Sequence, residues 1–102
     1  MMTHVSVLTS DAPASARRRI EDRLVALERF ADSLVSVRAS LRREAGEHGI
    51  ELHACVGQGL VLSAEARDAE LGHAIDRCVQ RLARQLGDRE QRRRDRRRRM
   101  RA

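Results

Sequence analysis

The chain has 102 residues, with 21 Arg, no Lys and 15 acidic side chains, for a formal charge of +6. That length fits one domain with one thin core. No apolar run approaches the roughly 18–20 residues that cross a bilayer, so a membrane span is excluded. Two cysteines, Cys55 and Cys78, form neither a disulfide framework nor a metal pair by spacing. Thr3 to Ser15 is too polar for a signal peptide's apolar stretch. The expectation is a reduced, cytoplasmic protein.

The charge is unevenly placed. Residues 1–88 hold 12 Arg against 13 acids, and residues 89–102 hold 9 Arg against Glu90 and Asp95. A near-neutral body (1–88) therefore carries a basic tail (89–102), either a helix extension or a disordered segment. Such tails bind polyanions. The all-Arg composition favours phosphate, because the guanidinium fork matches phosphate oxygens bidentately. The tail has no Trp, Phe or Leu to bury in a bilayer, which argues against a membrane surface.

In chain order, His4 to Thr9 alternates and predicts a short strand. Asp11 and Pro13 mark a helix start. Ala16, Ile20, Leu24, Leu27 and Phe30 then recur at steps of three and four, predicting a helix over residues 14–31. Leu34 to Arg42 alternates, with Val35, Val37, Ala39 and Leu41 on one face and Ser36, Arg38, Ser40 and Arg42 on the other. Gly46 to Gly49 reads as a turn. Ile50, Leu52, Ala54 and Val56 form the buried face of a third strand. Gly57-Gln58-Gly59 reads as a tight hairpin, and Leu60, Leu62, Ala64 and Ala66 continue as a fourth strand. The last element is the clearest. Leu71, Ala74, Ile75, Cys78, Val79, Leu82 and Leu86 keep the helical period over four turns. Arg77, Arg81, Arg84 and Asp88 fall nearly opposite that stripe, and Arg92 and Arg99 extend the row if the helix continues past Gly87. The expected class is α+β, β-α-β-β-β-α, a four-stranded sheet with two helices packed on one face.

No catalytic constellation stands out: there is no Gly-rich phosphate loop, nucleophile elbow or paired-His motif. His53 and Cys55 share a strand face but lack further ligands, so no metal, cofactor or small-molecule substrate is expected. The chain does not read as an enzyme. Cys78, on the apolar stripe, reads as a small core residue.

Leu62 to Asp76 (LSAEARDAELGHAID), followed by the run Arg81 to Leu86 (RLARQL), resembles the ribosome hibernation-promoting factors, the ribosome-associated inhibitor family also called sigma-factor modulation proteins. Leu27 to Asp32 (LERFAD) is similar to the end of that family's first helix, and Ile50 to Gly59 to its central hairpin. The resemblance covers residues 3–92. It implies the same β-α-β-β-β-α fold and binding to the small ribosomal subunit, in the channel where mRNA and tRNA sit, so that idle ribosomes are silenced. It implies a short-form member, since an Arg tail stands where long members carry a dimerisation domain. The expected rRNA-binding residues are Arg23, Arg77, Arg81, Arg84, Arg89 and Arg92, meeting backbone phosphates as a stiff row. Asp88 departs from the family's basic pattern and would repel phosphate. Two other readings stand beside this one: a general RNA or DNA binder driven by the tail, and a regulator docking a protein partner on the free sheet face.

Overall fold

The computed structural model describes residues 4–7, 13–27 and 34–101. In chain order the elements are β1 (His4–Val7), α1 (Ala14–Leu27), β2 (Leu34–Glu44), β3 (Glu47–Val56), a 3-10 turn (Gly57–Gly59), β4 (Leu60–Asp68) and α2 (Leu71–Arg101). The class is α+β. Strands β2, β3 and β4 form an antiparallel meander. β1 lies parallel to β2 at the far edge, giving the order β1-β2-β3-β4. The positions expected at Asp11 and Phe30 lie outside the described residues.

The core follows from alternation on the strands and the helical period on the helices. Across the meander, Val37 opposes Ala54 and Ala39 opposes Leu52, while Leu52 opposes Ala64 and Ile50 opposes Ala66. A strand's side-chain period is two, so these residues share the face that the helices cover. Ala16, Ile20, Leu24 and Leu27 of α1, with Ala74, Ile75, Cys78, Leu82 and Leu86 of α2, close the cluster from the other side. Alanines line much of the sheet face, which lets the helix backbones approach closely. The opposite face of the sheet carries Arg38, Glu51, His53 and Ser63 and stays wet, as antiparallel sheets permit.

Four local details differ from expectation. The β2–β3 turn sits at Ala45 (φ 52°) and Gly46 (φ 77°), so His48 and Gly49 lie within β3. Two residues at positive φ give the turn whose twist matches antiparallel strands. Ala lacks the usual turn signature, which hid the boundary. In the second hairpin only Gly59 (φ 75°) uses the left-handed region. Leu60 is 39% exposed, because it lies at the end of the sheet. Val35 sits at a register shift between Leu34 and Ser36 and faces outward, not with Val37 and Ala39.

Cys78 is buried, and its thiol donates to the Ala64 carbonyl at 3.3 Å. Burial pushes its pKa up to about 11. Cys55 is exposed. A thiol reagent at pH 8 is therefore expected to modify one cysteine per folded molecule, Cys55, and to reach Cys78 only after denaturation. Rapid labelling of both in the native state would contradict this packing.

Candidate nucleic-acid interface

The long helix α2 positions most of the candidate cations. Its 31 residues extend about 46 Å at the α-helical rise. Gly87 lies inside it, tolerated at a cost of about 1 kcal/mol. The core stripe of Ile75, Cys78, Leu82 and Leu86 holds the first half against the sheet. Residues 91–100 are exposed, because the sheet has ended beneath them. The compositional boundary at residue 88 therefore falls within one continuous helix.

Two of the expected row, Arg77 and Arg81, are engaged at the sheet edge. β4 is an edge strand, and edge carbonyls need partners. Arg77 Nη1 donates to the Arg67 carbonyl at 3.2 Å. Arg81 Nη1 donates to the Glu65 carbonyl. Gln85 Nε2 donates to the Ser63 carbonyl at 2.7 Å. The match is geometric: four helical residues rise about 6 Å, and two strand residues span about 6.6 Å. The 77-81-85 row thus runs antiparallel to 67-65-63, one donor per outward carbonyl. Arg77 also lies 3.6 Å from Asp68. Asp68 is held below the usual carboxylate range, first by the Glu70 amide and further by His73 and Arg77. These arginines are therefore anchored rather than a free row. A guanidinium has five N–H groups, so each keeps donors for an outside acceptor.

Arg23 is engaged as well. Its Nε donates to Asp76 Oδ1 at 3.1 Å, while Arg19 Nη2 donates to Asp76 Oδ2 at 2.7 Å. One carboxylate thus clamps α1 to α2. The Arg19 hydrogen bond lowers the Asp76 pKa most; burial opposes it, and the charges of Arg19 and Arg23 add to the lowering, for a net value below the usual carboxylate range. The folded value lies below the unfolded one. The stabilisation is therefore present above about pH 4 and is lost as pH falls through the folded value. Thermal melts of Asp76→Asn should show a lower midpoint than wild type at pH 7 and a gap that narrows towards pH 2. The effect should be small, since both guanidinium groups are exposed. A constant gap across that range would refute the linkage.

Arg84, Arg89 and Arg92 form no ion pair with another described side chain. Arg89 and Arg92 join Arg93 and Arg96 along one wall of a groove at the end of the sheet, facing Gly57, Leu60 and Leu62. Arg93 and Arg96 were absent from the sequence-derived set. Their signal was the core stripe itself, because Leu82, Leu86, Arg89 and Arg93 continue the same helical period. The stripe turns from apolar to cationic where the sheet stops.

His53, read beside Cys55 as a weak ligand pair, is tied otherwise. Its Nε2 lies 2.8 Å from Glu51 Oε1, and its Nδ1 lies 3.1 Å from Ser63 Oγ. Among the described residues no three His, Cys, Asp or Glu side chains form a metal-holding group, and no helix is long and apolar enough to cross a membrane.

The family model described as sigma 54 modulation protein / S30EA ribosomal protein matches residues 4–94. No curated protein matches the chain. Among solved structures, a ribosomal subunit interface protein from Coxiella burnetii aligns with a TM-score of 0.71 at 15% identity, covering 88% of this chain and 98% of that one. The N-terminal domain of Protein Y from Thermus thermophilus aligns with a TM-score of 0.71 at 24% identity, covering 86% and 96% respectively. At these identities the structural likeness carries the fold alone.

Proposed function

Because the chain belongs to the sigma 54 modulation protein / S30EA ribosomal protein family, we propose that it is a cytoplasmic ribosome-binding factor that silences translation in idle ribosomes. It binds the small subunit and occupies the mRNA/tRNA channel through arginine contacts to rRNA phosphates. The chain is not an enzyme; it acts by occupancy. The observation that carries this reading is the run of unsupported α2 beyond the sheet, where seven of the ten exposed residues 91–100 are Arg. Closely spaced rRNA phosphates are the partner such a rod fits, and recognition is by backbone and shape, since A-form major grooves are poorly read. Arg84, Arg89 and Arg92 make the outer contacts. Arg77 and Arg81, oriented by the β4 carbonyls, add donors along the sheet edge, and Arg23 adds one from α1.

The test is co-sedimentation with purified 30S and 50S subunits, in the presence and absence of mRNA and tRNA. Binding to 30S that mRNA and tRNA displace is the expected result, with inhibition of translation in a purified system. Equal binding to both subunits, or binding indifferent to mRNA and tRNA, would favour a general polyanion binder.

A further inference from the structure

The groove at the end of the sheet has two chemistries that a bare phosphate site does not need. It encloses about 610 Å³, within the roughly 300–1,000 Å³ typical of small-ligand sites. One wall is the cationic continuation of α2, with Arg89, Arg92, Arg93 and Arg96. The other side is apolar: Leu60 is 39% exposed at the start of β4, and Leu62 is half-buried beside it. Asp88 also lines the groove. A carboxylate there opposes phosphate binding, yet it is the acceptor that a nucleobase N–H donor requires.

Resting on the ribosomal reading and refining it, we infer that this groove seats one nucleotide of single-stranded RNA. The base lies on Leu60 and Leu62, the flanking phosphates meet the arginines, and Asp88 accepts from the base edge. Each part has a physical reason. A base withdrawn from its stack regains contact on an apolar or guanidinium surface. The four arginines share one face of the helix, so successive phosphates can be met by successive turns. Asp88 is the one carboxylate among the described residues that line the groove, while Gln85 Nε2 is committed as a donor to the Ser63 carbonyl. Guanine presents two adjacent N–H groups on one edge and suits a carboxylate bidentately. Uracil presents one. The groove therefore prefers an unpaired guanosine to an unpaired uridine. A duplex, whose bases are stacked and paired, gains only the phosphate contacts.

The experiment measures binding of the full chain, by fluorescence anisotropy, to three pentanucleotides of equal charge. One has uridine throughout, one a central guanosine and one a central abasic site. The expected order is guanosine, then uridine, then abasic, with at least about fivefold between the first and last. Leu60→Ser, which leaves the charge unchanged, should shrink that span. Asp88→Asn should remove the guanosine preference while strengthening binding of all three. A polyglutamate of matched charge, run as competitor, should not displace the guanosine oligomer. Equal binding of the three oligomers, or full displacement by polyglutamate, would overturn the inference. Ribosome co-sedimentation, run in parallel, separates the two readings. Oligomers bound alike with 30S binding retained sinks the groove assignment alone. Guanosine preference without 30S binding sinks the ribosomal reading and leaves the groove.

Discussion

Deleting residues 92–102 should leave the fold intact and weaken 30S binding by at least about tenfold at moderate salt. Those residues hold eight of the 21 Arg and one acid. Leu86 is the last buried residue of α2, so the truncation removes no core contact. Stability should change by no more than about 0.5 kcal/mol, as for other surface changes. The affinity should respond strongly, because each phosphate contact releases a condensed counterion. The dependence of log K on log salt should flatten by about 2–4 units if three to five contacts go. Residual binding should keep its preference for 30S over 50S, since the anchored arginines and the shape of the domain persist. Loss of all binding would transfer recognition to the tail and support a generic polyanion binder. Unchanged affinity would remove the tail from the interface.

Leu82→Ala should cost about 2–5 kcal/mol of folding stability, the range for a fully buried leucine. Leu82 is completely buried, in the cluster that joins both helices to the sheet. The domain has few large residues with which to fill a hole, because alanines occupy much of the sheet face. Against a total of roughly 5–15 kcal/mol, this change should bring the protein close to unfolding at 37 °C. It should appear as a lower urea midpoint with an unchanged slope. Leu82→Met, which conserves volume, should cost less than about 1.5 kcal/mol. The consequence reaches the interface, because Arg81 and Gln85 flank the same turn and lie along β4 only while that turn is seated. A Leu82→Ala variant of wild-type stability would mean that α2 is not held by its stripe.

The engaged arginines change how the interface works. Arg77 and Arg81 close part of the β4 edge, where the Arg67 and Glu65 carbonyls would otherwise be open to a neighbouring strand. Their replacement by Glu would therefore disturb the edge as well as reverse charge. Arg84, Arg89 and Arg92 carry no such second duty among the described residues, so substitutions there report on binding more cleanly.

Much of this was legible in the sequence. Alternation gave the faces of β3 and much of β2, and the three-four spacing gave the stripes of both helices, because burial on one side imposes those periods directly. Cys78 was recognisable as core by its place on the stripe. The tail's charge was plain from composition, and the RLARQL run pointed to the family. The β2–β3 turn reads at Gly46 to Gly49 and sits earlier, at Ala45–Gly46, because left-handed Ala has no compositional mark. Which arginines are already bonded was also hidden, because it depends on distances between residues far apart in the chain. Asp76 meets Arg19 and Arg23 across 57 and 53 positions. Periodicity placed Arg77 and Arg81 away from the core but could not see that an edge strand's carbonyls lie beside them. The sequence by itself determined the elements, their buried faces and the cationic end of the last helix, since these follow from local period and charge. Only the tertiary structure decided that the sheet ends before the helix does. That mismatch in length anchors the first arginines, leaves the later ones exposed and opens a groove between the helix and the end of the sheet.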